Sequence, residues 1–133
     1  YELLSKDKKL KDKIKSLPSK KLIFTNATMF HAYICLQRID ILNCFNGIVH
    51  RENIKDLKPN LSAYKKMMLL NSISLKDRCI FFDDSLINLI SAKQFGWITV
   101  YINPNIINHQ SIDYSFSNIH IALDYFIKLS KGN

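Results

Sequence analysis

The sequence predicts an α/β fold, a Rossmann-like parallel sheet with helices on both faces. Three observations carry this expectation. Short apolar runs alternate with helical patterns along the 133 residues. The apolar runs are continuous, as in strands buried on both faces by crossover helices. Two of them, "LIFTNAT" and "RCIFFDDS", run abruptly into polar groups. In open parallel sheets, ligands sit beyond the C-terminal strand ends.

The elements follow in order. Leu3, Leu10, Ile14 and Leu17 recur at helical spacing, so residues 3–16 read as a helix that stops at Leu17-Pro18. Residues 21–25 read as a buried strand. Residues 28–38 read as a helix with Phe30, Ile34 and Cys35 facing inward. Gly47-Ile48-Val49 is a short strand. "KPNLSAYKKMMLLNS" opens on Pro59, a good first helical residue, and reads as a helix whose apolar stripe carries Leu61, Tyr64, Met68 and Leu69. "RCIFFDDS" is a strand ending in two carboxylates. "SLINLISAKQFG" is a helix closed by Gly96, "WITVYI" is a strand, and residues 118–130 form a last helix. No repeat or low-complexity linker interrupts the pattern, and one domain is expected over residues 1–133.

Composition narrows the class. Hydrophobic residues make up 47% and charged residues 23%, a globular balance with no run long enough to span a bilayer. The N-terminus is lysine-rich and lacks the apolar core of a secretory signal. Cys35, Cys44 and Cys79 are scattered among apolar residues, which points to buried thiols in a reducing, cytoplasmic setting. The chain opens on Tyr1, without an initiator Met, which points to a partial or processed chain. The net charge of +8 invites a nucleic-acid reading. The lysines concentrate in "SKDKKLKDKIKSLPSKK", however, where a solvated helix face accounts for them. No aromatics interleave there as a single-strand binder requires.

Three features carry candidate chemistry. Thr25 and Asn26 end a strand just before a helix, where a hydroxyl, an amide and free N–H groups suit a phosphate. The plainer alternative is a helix cap by Asn26 or Thr28. Lys58 precedes Pro59 and is a compact point charge suited to a phosphate oxygen, or else one more surface lysine. Asp83 and Asp84 are adjacent carboxylates leaving an apolar strand. Their repulsion and desolvation favour a divalent cation, and oxygen-only ligands suit Mg²⁺. The alternative is a cap by Asp84 or Ser85. No P-loop, dinucleotide glycine turn or nucleophile elbow occurs. His31 and Cys35 share a helical face, but no second pair has zinc spacing.

The order Thr-Asn, Lys-Pro, Asp-Asp-Ser-x-x-Asn resembles the haloacid dehalogenase superfamily of phosphatases. "FTNA" resembles its second motif, "LKP" its third and "FFDDSLIN" its fourth. Across most of residues 16–102 the wording is closest to the pyrimidine 5'-nucleotidase group. The resemblance implies that Thr25 binds the transferring phosphoryl group, helped by the Asn26 N–H. It implies that Lys58 neutralises charge on the phosphate and the nucleophile. Asp84 would be the main protein ligand for Mg²⁺, and Asp83 a further or more distant one. Asn88 stands where many relatives carry another acid and is a weak candidate.

The family's first motif, Asp-x-Asp-x-Thr, is absent, as is the helical cap usually inserted before the second motif. In relatives the first Asp attacks phosphorus and the second is the general acid, then base. The implied whole is a Mg²⁺-dependent phosphomonoester hydrolase acting on a nucleoside monophosphate or similar small ester. This chain would be the C-terminal part of its core, lacking the first strand, with a segment carrying Asp-x-Asp as partner. The alternative is an inactive remnant serving as a phosphate-binding or protein-interaction module.

Overall fold

A computed structural model describes residues 4–132. Helix α1 (Lys8–Ser16) leads into strand β1 (Leu22–Phe24), and helix α2 (Met29–Ile39) leads through a 3₁₀ turn at Leu42–Cys44 into β2 (Gly47–Val49). Helix α3 (Leu61–Leu70), β3 (Ile80–Asp83), α4 (Leu86–Lys93), β4 (Ile98–Ile102), β5 (Tyr114–Phe116) and α5 (Ile119–Lys131) follow. Strand β5 carried no expectation from the sequence. It is three residues long and pairs in parallel with β4, Val100 opposite Tyr114.

Helix α1 starts later than residue 3 because Asp7 caps it, accepting from the Leu10 N–H at 3.0 Å. The expected inward Leu3 lies outside the described residues. Asp7 is also bonded to His120 Nε2 of α5 at 2.8 Å, so the cap is tied to its neighbour. The Leu10 N–H bond, with His120 second, holds the Asp7 carboxyl below its usual range. Gly96 lies beyond α4 in the turn to β4, at φ 76, where its missing Cβ avoids strain.

The strands are all parallel but fall into two groups, β1–β2 and β3–β4–β5. Strands β1 and β3 exchange no ladder bonds. Both groups nevertheless lie between the same helices. Leu22 and Phe24 of β1, Val49 of β2 and Phe81 of β3 pack on Ala63, Tyr64, Met67 and Met68 of α3. The alternate residues Ile23, Ile48 and Phe82 pack with Leu10 and Ile14 of α1, Leu36 of α2 and Leu123 of α5. The period of two carries across the break. The two half-sheets are therefore one layer with a seam between β1 and β3.

Two helices show faces other than those expected. Phe30 of α2 is 72% exposed, and Ala32 and Leu36 are the buried residues. That helix is apolar nearly all round, so its pattern leaves the docking face open. In α3, Leu61 and Leu69 are exposed, whereas Ala63, Tyr64, Met67 and Met68 are buried. Leu69 sits one step around the helix from Met68, and Leu61 lies in the first turn, near the rim.

Leu10 and Ile14 are buried as expected, and Lys8, Lys9 and Lys15 are exposed. Replacing Leu10 or Ile14 with Ala removes packing against Leu36 and Leu123. Each is expected to cost about 2 kcal/mol in a denaturant titration. Replacing Lys9 should leave the midpoint in place, and equal losses at all three positions would contradict this docking.

Candidate active site

The C-terminal ends of β1 and β3 face each other across the seam. A cleft of about 460 Å³ opens there, and Asn26, Lys58, Asp83, Asp84 and Asn88 line it with an apolar floor that includes Phe24 and Phe82. These polar residues come from three segments far apart in sequence, and parallel strand direction delivers all of them to one rim.

Lys58 bridges the seam. Its ammonium donates to the Phe24 carbonyl at 2.8 Å and to Asp83 Oδ2 at 3.2 Å. The Lys58 and Asp83 side chains are each only 9% exposed, so this is no surface lysine. The ammonium also lies 4.9 Å from the Phe24 ring and 5.3 Å from that of Phe81, within cation–π range. A positive group thus sits where two strand ends bring a carbonyl and a carboxylate together.

Asp83 is fully engaged. Its Oδ2 also accepts from Asn88 Nδ2 at 3.2 Å, and its Oδ1 from the Ser85 N–H at 2.8 Å. Asp84 is exposed, and no donor among the described residues reaches its carboxylate. Neither Asp84 nor Ser85 caps α4 with its side chain. The two carboxylates, equivalent in sequence, therefore differ: one is locked to a lysine and one is open to solvent. Among the described residues no cluster of three or more His, Cys, Asp or Glu forms a closed metal site. A single open carboxylate suits Mg²⁺, which keeps waters and takes oxygens from substrate phosphate.

On the β1 side, Thr28 caps α2 by accepting from the His31 N–H at 3.2 Å, which removes that task from Asn26. Thr25 Oγ1 accepts from the Ala27 N–H at 3.1 Å, so its hydroxyl hydrogen stays available for donation. The Asn26 side chain turns toward Lys58: Nδ2 donates to the Lys58 carbonyl at 3.1 Å and Oδ1 accepts from the Lys58 N–H at 3.0 Å.

Tyr64 was read from the sequence as a core residue only. It is fully buried, and its hydroxyl donates to the Asn88 carbonyl at 2.6 Å. Burial, with the Asp83 charge second, pushes the phenol up and keeps it a donor. Helical spacing alone cannot reveal a hydroxyl aimed at another helix. Tyr64→Phe keeps the packing on Phe24, Phe81, Phe95 and Trp97 but leaves the carbonyl short of a donor. The expected cost is about 1–3 kcal/mol by denaturant unfolding, and a neutral result would mean that water replaces the hydroxyl.

The family model for haloacid dehalogenase-like hydrolases matches residues 4–102, which include the whole rim just described. The chain belongs to that family. Solved structures agree on the fold of this haloacid dehalogenase-like chain. A predicted phosphoglycolate phosphatase from Haemophilus somnus superposes with TM-score 0.72 at 20% identity, covering 88% of this chain and 55% of the other. The HAD-hydrolase YfnB from Bacillus subtilis, bound to magnesium, gives 0.73 at 18% identity, with 87% and 53% covered. A HAD phosphatase from Thermococcus onnurineus gives 0.71 at 20% identity, with 95% and 55% covered. The chain spans little more than half the length of these structures. No helix among the described residues is long and apolar enough to cross a membrane.

Proposed function

We propose that this chain forms the phosphate-binding and Mg²⁺-binding part of a phosphomonoester hydrolase. Its substrates are nucleoside monophosphates or similar small phosphate esters, and it works through an aspartyl-phosphate. The observation that carries the proposal is the seam. A buried cation and an open carboxylate line a cleft at a break between β1 and β3, the strands at which the parallel layer loses its ladder. A parallel strand carrying Asp-x-Asp, inserted at this break, would pair with both edges. It would end beside Lys58.

The residues present divide the work. Thr25 donates its hydroxyl hydrogen to a phosphoryl oxygen, and the Asn26 N–H donates to another. Lys58 neutralises charge on the phosphate and on an incoming carboxylate. Asp84 would hold Mg²⁺, which when bound supplies further charge neutralisation at the phosphoryl oxygens. Asp83 holds Lys58 in place, and Asn88 holds Asp83. The nucleophile comes from the added strand, because no described residue on the rim offers a free carboxylate besides Asp84. Three free thiols support a reducing, cytoplasmic setting. The test is phosphate release from a panel of nucleoside monophosphates by this chain together with a segment carrying Asp-x-Asp-x-Thr. Release is expected to require Mg²⁺ and to vanish with Asp84→Ala. Failure of every combination to turn over would favour the inactive phosphate-binding module.

A further inference from the structure

Asn26 has its side chain and its carbonyl committed. The side-chain amide forms a two-point pair with the backbone of Lys58, donating at 3.1 Å and accepting at 3.0 Å. Its main-chain carbonyl accepts from Arg51 Nε at 3.1 Å. The neighbouring Ala27 carbonyl accepts from the Arg51 N–H at 2.9 Å. The loop after β1 is thus tied both to the segment after β2 and to the segment entering α3. An amide that donates and accepts at one residue acts as a short piece of sheet ladder. It fixes where the Lys58 backbone lies relative to the end of β1.

We infer that Asn26 is a positioning residue that sets the Lys58 ammonium through the Lys58 backbone, and that its side chain is not a direct ligand for phosphate. The Lys58 side chain must return from that anchored backbone to reach the Phe24 carbonyl and Asp83. These acceptors are stationary, one on β1 and one on β3. A shift of the Lys58 backbone would draw the ammonium away from a geometry that meets both acceptors at once. The loop itself has other anchors, since Ile54 is 6% exposed in the core and the Asn60 N–H donates to the Leu57 carbonyl at 3.0 Å. Loss of the Asn26 amide should displace Lys58 while the fold survives. An Asp at 26 keeps an acceptor for the Lys58 N–H but sets a second oxygen against the Lys58 carbonyl, so it should fail for a different reason than Ala.

The test reads Lys58 itself. In isotope-labelled protein the Lys58 ammonium signal is identified by its loss in Lys58→Met. It should exchange slowly with water, because the group is buried and doubly bonded. Asn26→Ala and Asn26→Asp are expected to shift it to the position of exposed lysines, with cooperative melting retained. If Asn26→Ala does not fold, Asn26→Asp carries the test. An unmoved Lys58 signal in either folded variant would overturn the inference. The second arm rests on the proposed phosphate site and uses inorganic phosphate. Asn26→Ala should weaken binding about tenfold, near the loss of one or two hydrogen bonds, and should add nothing in the Lys58→Met background. Independent, additive losses would mean that Asn26 touches the anion directly and would overturn the inference. If Lys58→Met leaves phosphate binding unchanged, the hydrolase reading falls, and the ammonium signal still decides the role of Asn26.

Discussion

Residues 1–133 alone are expected to release no phosphate above background, and a segment carrying Asp-x-Asp-x-Thr is expected to restore Mg²⁺-dependent release. The gain should be on the order of 10⁶, the loss typical when the nucleophile of a cooperating catalytic set is removed. On the proposed reading, the rim as it stands binds and neutralises a phosphate. Lys58 is placed by Phe24 and Asp83, Thr25 keeps a hydrogen to donate, and Asp84 is open. None of these groups is a covalent acceptor in line with a leaving oxygen, so water would attack without orientation. The added strand would also satisfy the facing edges of β1 and β3, whose backbone groups exchange no ladder bonds. Restoration should therefore coincide with a rise in melting temperature. The assay compares the chain with and without the segment, in cis and as a separate peptide. Robust turnover by the short chain, abolished by Asp84→Ala, would show that a residue already present acts as nucleophile or base.

Lys58→Met is expected to destabilise the chain by about 3 kcal/mol or more, far beyond the effect of any lysine on α1. Both partners of the Lys58–Asp83 pair are 9% exposed. Removing the cation leaves Asp83 with Asn88 and the Ser85 N–H as neutral donors and no compensating charge. The Phe24 carbonyl loses its donor as well. Adding Asp83→Asn removes the uncompensated charge, so the double variant should recover more than half of the loss. Denaturant titration of the two single variants and the double variant measures this. A cost below about 1 kcal/mol for Lys58→Met would place the pair with exposed ion pairs and would remove its role as the bridge across the seam.

Legibility was uneven along the chain, for local reasons. The strands "LIF" and "IFFD" stood out because apolar runs ending in polar residues are a pattern of neighbours in sequence. The helix at Lys8–Ser16 stood out because Leu10 and Ile14 recur among lysines, so only one face could be buried. The same rule failed in α2, where apolar residues surround the axis and Phe30 proved exposed. It also failed at Leu69, which periodicity alone could not set apart from Met68. Strand β5 was missed because Tyr114-Ser115-Phe116 has a polar centre and polar flanks, unlike the equally short run at Gly47–Val49.

By itself, the sequence determined that Thr25, Asn26, Lys58, Asp83 and Asp84 would stand at strand ends or helix starts, because each adjoins the apolar run or helical pattern that places it. Only the tertiary structure decided what each side chain does there. It assigned Asp83 to Lys58 and left Asp84 open, turned the Asn26 amide onto the Lys58 backbone, and brought the Tyr64 hydroxyl to Asn88. It also placed the break in the sheet between β1 and β3. The physical reason is distance along the chain. Asn26 and Lys58 are 32 residues apart, Lys58 and Asp83 25, and Tyr64 and Asn88 24. Propensity and periodicity act over a few residues, whereas a hydrogen bond between such partners exists only once the strands and helices have packed.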